Sequence, residues 1–209
     1  MYKCALCSVL ACKEESPERI PKNCPMKTDT LIEDCFSEYE TAENKEFYIK
    51  SSEIEAAGYC EWPRIREIIE FSKSMNYKKI GIAFCLGLRS EAKIVDRLLT
   101  AAGLEAISVI CKTGAIPKER IGIPDEHKVR PGTFESMCNP IAQAKLLNEQ
   151  KTDFNVVVGL CVGHDSMFYK YSEAMVTTLL AKDRVLAHNP AGALYCSEGY
   201  FKDKITVND

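Results

Sequence analysis

The chain has 209 residues, of which 46% are hydrophobic and 27% are charged, and its formal net charge is −3. This composition is typical of a globular protein, and the interspersed charges exclude an electrostatic footprint for nucleic acid or for an anionic membrane surface. Since no apolar run approaches the roughly 18 residues of a spanning helix, and the N-terminus opens into cysteines rather than an apolar signal core, we expect a soluble cytoplasmic protein.

Cysteine is the unusual residue of this sequence, with eleven copies. A secreted disulfide framework is usually short and carries an even number of cysteines. In a reducing compartment, many cysteines more often indicate metal ligation or thiol chemistry. The cysteines are therefore the candidate functional residues.

Residues 1–58 are predicted to form a cysteine-rich metal-binding segment. Its first 35 residues contain five cysteines and three prolines, without a sustained helical or strand period. Such a segment buries too little apolar surface to fold alone, and a bound metal would supply the missing folding energy. The predicted ligands are Cys4, Cys7, Cys12 and Cys24.

The identity of this first metal stays open, because four thiolates suit both structural zinc and an iron–sulfur cluster. Cys35 is an alternative to Cys24 as the fourth ligand. The competing interpretation is a tail of free thiols without any ligand.

Residues 59–209 are predicted to form an α/β domain. A helix over 61–75 is followed by a buried strand over 79–84, a helix over 90–102 with Ile94, Val95, Leu98 and Leu99 inward, and a strand over 106–110. After an irregular stretch come a helix over 140–150, a strand over 155–160, a helix over 166–174, and strands over 176–180 and 185–187. Strands separated by helices predict a doubly wound, mainly parallel sheet.

The irregular stretch over 112–136 contains three prolines, many charges and no period. A loop of this length inside a compact domain is usually functional or points to a wrong assignment of elements. We interpret it as a lid over a site.

Four cysteines occupy equivalent places in this domain. Cys85, Cys111 and Cys161 each follow a predicted strand directly, and Cys138 precedes a helix that Asn139 and Pro140 are expected to begin. Because the carboxyl ends of parallel strands share one edge of the sheet, these four cysteines are predicted to form a cofactor site. Taken singly, each could instead be a small apolar filler, which is also the interpretation for Cys60 and Cys196.

His164 is the candidate acid or base of this edge. With Cys161 as nucleophile and His164 as its base, the edge could be a catalytic thiol site; His164 could also be a metal ligand or a packed side chain. Asp165 is predicted to be the N-cap of the next helix. His188 follows the last predicted strand and could reach the same edge.

Three stretches carry a family resemblance: 82–88 around Cys85, 137–144 around Cys138 and 158–166 around Cys161. They resemble a family of predicted cysteine-rich metal-binding proteins, a domain of unknown function common in anaerobic bacteria and archaea. Cys4, Cys7, Cys12 and Cys24 are similar to its N-terminal pattern. The resemblance implies metal binding, favours iron–sulfur over zinc, and implies no activity or substrate.

The leading prediction is a metal-binding protein, with iron–sulfur or zinc, whose strand-end cysteines serve redox or electron-transfer chemistry. A cysteine-nucleophile enzyme that uses Cys161 and His164 is one alternative, and a non-catalytic zinc-binding or sensor module is another. The expected partners are a metal ion or cluster and a small-molecule substrate or redox partner. We expect neither nucleic acid nor a membrane as a partner, and no nucleotide-binding motif is present.

Overall fold

The computed structural model describes residues 1–14 and 17–206 of the chain. The chain divides into two compact units, Met1–Ala57 and Gly58–Asp209, and each is described here by itself. None of the described helices is both long and apolar enough to cross a membrane.

The first unit consists of short turns followed by two helices. Its single 3₁₀ turns are Cys4–Leu6, Ala11–Lys13, Pro17–Arg19 and Pro25–Lys27, and its helices are α1 (Asp29–Tyr39) and α2 (Ala42–Gly58). Where the burial of its residues is described, Ala11 alone in this unit is buried. The apolar residues of α2 are spread around the helix rather than gathered on one face, which is why the sequence pattern did not predict it.

The second unit carries the helices and strands of the α/β fold. In chain order these are α3 (Arg64–Ser74), β1 (Lys79–Phe84), α4 (Arg89–Ala101), β2 (Glu105–Ile110), α5 (Pro140–Glu149), β3 (Phe154–Val158), α6 (His164–Tyr171), β4 (Val176–Leu180), α7 (Ala191–Tyr195) and α8 (Lys202–Ile205). Shorter 3₁₀ turns lie at Leu86–Leu88, Lys118–Ile121 and Asp125–His127.

The strands form a parallel sheet in the order β2-β1-β3-β4, which confirms the predicted α/β fold class. The connection from β1 through α4 to β2 runs in one direction along the sheet, and the connection from β2 through α5 to β3 runs in the other. Right-handed crossovers in opposite directions place their helices on opposite faces. The order of the strands reverses next to β1, and the crevice at such a switch point is the usual ligand site of these sheets.

The core of this unit lies around β1 and β3. Both strands are almost completely buried, as their continuous apolar runs predict. The largest fully buried apolar side chains are Phe168, Ile80, Ile82, Leu88, Leu99, Leu147, Val156, Val157 and Val158. Gly159 directly follows β3, and its φ of +68° and close approach to Leu88 leave no room for a Cβ.

Three predicted details of this unit are wrong. Residues 185–187 form a turn and not a strand, because the Asp183 side chain accepts hydrogen bonds from the backbone N–H groups of Val185 and Leu186. On α4, Ile94 and Leu98 are 48% and 38% exposed, and the buried face instead uses Ala92, Val95 and Leu99.

The third wrong detail is the cap of α6. The helix begins at His164 with Gly163 as its N-cap, so Asp165 lies in the first turn. There its carboxylate accepts a hydrogen bond from the N–H of Ser166 at 2.8 Å. The positive φ of Gly163 lets the chain enter the helix two residues earlier than predicted from Asp165.

The stretch over 112–136 is a segment that folds on itself. A bridge pairs Pro117 with Ser136, and Lys128 forms ion pairs with Glu119 and Asp125. The N–H of Met137 donates to the carbonyl of Ile116 at 2.8 Å. These local bonds satisfy polar groups that a loose loop would leave to water.

Candidate thiol site at the carboxyl edge of the sheet

Cys85 and Cys111 stand at matching positions on neighbouring strands. Phe84 and Ile110 are register partners, and each cysteine is the residue that directly follows its strand. The N–H of Cys111 donates to the carbonyl of Phe84 at 2.9 Å, and the N–H of Cys85 donates to the carbonyl of Val158 at 3.3 Å. These bonds complete the last pairs of the ladder and hold both cysteines at the strand ends.

Cys138 reaches the same edge from the other end of segment 112–136. The N–H of Asn139 donates to the carbonyl of Cys111 at 2.7 Å, so the chain returns directly to the end of β2. The Asn139 side chain accepts from the N–H of Ala142 at 3.1 Å and Pro140 is the first residue of α5, which confirms the predicted helix start.

The thiols of Cys85, Cys111 and Cys138 form one hydrogen-bonded group, with Cys111 in the middle. Cys85 is 6% exposed and Cys111 is 1% exposed, whereas Cys138 is half-buried. The N–H of Leu86 donates to Cys111 Sγ at 3.3 Å. Three residues that are far apart in sequence are thus brought into contact by the strand ends and a helix start.

The group favours thiolates at its two outer positions. The hydrogen bond from Cys111 lowers the pKa of Cys85 to about 4, and Lys182 adds to this effect. The same hydrogen bonding lowers the pKa of Cys138 to about 5, with the charges of Lys112 and His164 contributing. The pKa of Cys111 is raised, because its S–H hydrogen-bonds to Cys138 and Cys85 and because it is buried.

Basic side chains contact these sulfurs. The ammonium of Lys182 donates to Cys85 Sγ, and the guanidinium of Arg184 donates to Cys161 Sγ at 3.2 Å. Lys112 hydrogen-bonds to Cys138 and also to the carbonyl of Ser136 at 2.6 Å. Lys182 and Arg184 were missed in the sequence because they lie in a turn without a period, and their nearness to a predicted strand end was the only available signal.

The side chains of Cys161 and His164 make different interactions at this edge. The thiol of Cys161 is half-buried and contacts Arg184, and in the described part of the chain no hydrogen bond joins it to the other strand-end thiols. The charge of His164 helps to lower the pKa of Cys138. The buried Nδ1 of His164 has no hydrogen-bond partner among the described residues. His188 is occupied elsewhere, since its Nδ1 accepts from the N–H of Asp183 at 3.2 Å.

Gln143 holds the ends of β1 and β2 together from α5. This fully buried side chain donates through Nε2 to the carbonyl of Phe84 at 3.2 Å and to the carbonyl of Val109 at 2.7 Å. Its Oε1 has no hydrogen-bond partner within residues 1–14 and 17–206. Sequence reasoning missed this residue, because a glutamine on a helix normally indicates an exposed face.

In the first unit, three of the four predicted metal ligands meet. Cys4, Cys7 and Cys24 line one cavity of about 220 Å³. Cys12 does not line it, and Cys35 lies in a separate apolar groove beside α1. The two remaining cysteines, Cys60 and Cys196, are exposed and are not core fillers.

The chemistry of these side chains suits a metal, but their present arrangement does not form a set of ligands. Thiolates with a nearby imidazole are the ligand set of zinc and of iron–sulfur clusters. Among the described residues, however, no group of three or more His, Cys, Asp or Glu side chains is arranged to hold a metal ion. The sheet-edge thiols hydrogen-bond to each other, so they would have to turn toward a common centre to act as ligands.

Fold and site together define a class: an α/β protein with a parallel sheet and a thiol cluster at the carboxyl edge of that sheet. Residues 24–179 match the family described as "Protein of unknown function (DUF1847)". The chain is also 46% identical over 194 residues to "Uncharacterized protein MJ0455" of Methanocaldococcus jannaschii, a match that covers 92% of this chain and 93% of that protein. The chain belongs to the DUF1847 family. The matched range contains the four sheet-edge cysteines and His164 but ends before Lys182 and Arg184, and it begins at Cys24, so it leaves out Cys4, Cys7 and Cys12.

Proposed function

We propose that the protein binds a thiophilic metal centre, an iron–sulfur cluster or zinc, at the carboxyl edge of its sheet, and that this centre serves redox or electron-transfer chemistry. Cys85, Cys111 and Cys138 would supply the thiolates, and His164 or Cys161 would be the fourth ligand. The observation that carries the proposal is the mutual contact of these thiols at the switch point of the sheet.

The charges around the sulfurs support this proposal. A metal centre held by several thiolates is a net anion, and Lys112, Lys182 and Arg184 provide compensating positive charge. The amide of Leu86 donates to Cys111 Sγ, and hydrogen bonds of this kind tune the reduction potential of iron–sulfur clusters. When bound, the centre would accept or donate electrons, while the protein supplies ligands, charge and burial.

The buried Nδ1 of His164 supports a role for this residue as a ligand. A buried ring nitrogen without a partner is costly, and coordination to a metal would satisfy it. The charge of His164 acts on Cys138, so the imidazole lies on the side of the site that Cys138 occupies.

A second, structural metal is proposed for the first unit, with Cys4, Cys7 and Cys24 as its ligands. These residues share a cavity in a unit that has almost no buried apolar residues. A metal would supply the folding energy that a core normally provides. Cys12 and Cys35 are the candidates for a fourth ligand.

The proposed location is the cytoplasm. All eleven cysteines are free thiols, as expected in a reducing compartment. A small-molecule substrate or a redox partner would exchange electrons at the sheet edge.

The test is analysis of metal and acid-labile sulfide in protein purified without oxygen. Wild type is compared with Cys138→Ala, which disables the sheet edge, with Cys7→Ala, which disables the first unit, and with both changes together. We expect each single change to remove its own share of the bound metal and the double change to remove all of it. Cys138 is half-buried, so its loss leaves the core of the sheet intact.

Cys196→Ser is the matched control, because Cys196 is exposed and lies outside both groups. It should leave metal and sulfide unchanged. Metal content that is unchanged in Cys138→Ala, with normal fluorescence of Trp62 as the check of folding, would reject the sheet-edge centre.

A further inference from the structure

We propose that Cys85 and Cys111 form a reactive dithiol that reduces low-molecular-weight disulfides, and that its product is an intramolecular disulfide between the ends of β1 and β2. This activity does not rest on metal binding, although two thiols of the proposed metal site carry it.

The backbone already holds the two residues at a suitable distance. They directly follow the register pair Phe84 and Ile110, and the hydrogen bond from the N–H of Cys111 to the carbonyl of Phe84 holds the two strand ends beside each other. Neighbouring strands lie about 4.8 Å apart, and a disulfide requires a Cα–Cα separation of about 4.4–6.8 Å. Because the two positions are in register, their side chains lie on the same face, where the thiols hydrogen-bond.

Cys111 also contacts Cys138, but the backbone favours Cys85 as its disulfide partner. Cys85 and Cys111 are both held in the sheet ladder, and Gln143 bridges the carbonyls of Phe84 and Val109 just before them. Cys138 lies outside the strands, at the end of the irregular segment that precedes α5. Because the positions of both residues are fixed, little conformational freedom is lost when a disulfide forms between Cys85 and Cys111, and this pairing is favoured.

The assignment of roles follows from the contacts. Cys85 is the more exposed of the two residues and its sulfur contacts the ammonium of Lys182, so Cys85 is the attacking sulfur. The thiolate attacks one sulfur of the small disulfide, a mixed disulfide forms, and the other half of the reagent leaves as a thiolate. Cys111 then passes its proton to that thiolate and attacks Cys85 Sγ, and the second half leaves and is protonated from water. Two protein thiols are oxidised and one disulfide is reduced to two thiols.

The size class of the substrate follows from burial. Cys85 is 6% exposed, and Cys111 is 1% exposed. A protein disulfide could not approach these sulfurs closely, whereas a small linear disulfide needs only a narrow opening. The acceptor is therefore assigned to the low-molecular-weight class.

The experiment treats the full-length protein with 2-hydroxyethyl disulfide, with and without a chelator, and then quenches it in acid and alkylates the remaining thiols. Trypsin separates the relevant cysteines, because Cys85, Cys111 and Cys138 fall in peptides 80–89, 98–112 and 129–145. We expect mass spectrometry to find peptides 80–89 and 98–112 joined by a disulfide, with release of two thiols per protein.

Three variants make the assignment specific. Cys138→Ser should keep the disulfide between 80–89 and 98–112, whereas Cys85→Ser and Cys111→Ser should lose it. A bond between 98–112 and 129–145, or no bond at all in the wild type with chelator present, would overturn the proposal. The metal content of the same preparation separates the two hypotheses: metal that the chelator removes, with no disulfide formed afterwards, rejects only the dithiol, and the disulfide in protein that never contained metal rejects only the metal centre.

Discussion

The two units of this chain place cysteines in opposite ways. In the α/β unit, a packed core sets the positions of the strand ends, and Cys85 and Cys111 are buried at these ends although β2 itself is partly exposed. In the first unit, Cys4 and Cys12 are exposed, and almost nothing apolar is buried around them. A cluster of thiols can thus be positioned by a core that is already folded, or it can need a bound ligand in order to fold. The amount of apolar surface buried around the thiols distinguishes the two cases.

The largest expected effect is on the core that positions the sheet-edge thiols. Leu147→Ala removes a fully buried side chain from α5, and should lower the free energy of unfolding of the α/β unit by about 2–5 kcal/mol. Urea unfolding followed by the fluorescence of Trp62, the single tryptophan of the chain and a residue of this unit, measures it.

The matched change in the first unit is Leu31→Ala, at a leucine that is 58% exposed. It should alter stability by less than about 0.5 kcal/mol, measured as the helical circular dichroism signal in urea. A loss as large as that of Leu147→Ala would mean that the first unit has a core of its own, and the contrast between the units would fail.

The second prediction concerns the pH dependence of thiol alkylation in metal-free protein. With pKa values of about 4 and about 5, Cys85 and Cys138 are thiolates throughout the neutral range. Their alkylation rates should stay nearly constant from about pH 8 down to about pH 6, whereas an ordinary thiol with a pKa of about 8.5 slows roughly tenfold per pH unit. Iodoacetamide labelling of peptides 80–89 and 129–145 measures both sites, with N-acetylcysteine as the reference.

Lys182→Met makes this prediction sharper. Loss of the ammonium should raise the pKa of Cys85, so that its rate begins to fall with decreasing pH while Cys138 keeps a flat profile in the same sample. If both cysteines of the wild type slow like N-acetylcysteine, the sheet edge does not stabilise thiolates.

A smaller effect is expected at the residue that joins the strand ends. Gln143→Met keeps the length of the side chain but removes the donor to the carbonyls of Phe84 and Val109. The cost should be about 1 kcal/mol, because the two carbonyls lose their side-chain partner while the unpartnered Oε1 is also removed. Urea unfolding gives the stability, and a faster reaction of Cys111 with iodoacetamide would show that the strand ends have loosened.

The smallest effect is expected for Cys35→Ser, since Cys35 is exposed on α1 and outside the cavity that Cys4, Cys7 and Cys24 line. Stability should change by less than about 0.5 kcal/mol, and bound metal should be unchanged, whereas Cys24→Ser should lower it. If Cys35→Ser lowered the bound metal and Cys24→Ser did not, Cys35 and not Cys24 would be the metal ligand.

The sequence predicted those features that have a strong local pattern. The apolar runs of β1 and β3, the amphipathic spacing of α3 and the Asn139–Pro140 helix start all appear in the structure, because each depends on neighbouring residues. The common edge for Cys85 and Cys111 followed from the rule that parallel strands share their carboxyl ends.

Other features depend on contacts that have no local pattern. The turn at 185–187 was predicted as a strand because Val and Leu dominate it, while the Asp183 side chain that folds it is outside the run. The contacts of Lys182 and Arg184 with the thiols, and the effect of the His164 charge on Cys138, depend on how the chain returns to the edge of the sheet. No spacing in the sequence encodes that return.

Segment 112–136 leaves and re-enters the domain at nearly one point, since the N–H of Asn139 bonds to the carbonyl of Cys111. Loop-closure entropy grows only with the logarithm of length, at about 0.6 kcal/mol for each doubling. Insertions and deletions in the middle of this segment, away from Lys112 and Cys138, therefore cost little loop-closure entropy and leave the sulfurs in place. Relatives can diverge in length here, and a reporter or an affinity tag can be grafted here, without redesign of the chemistry beneath.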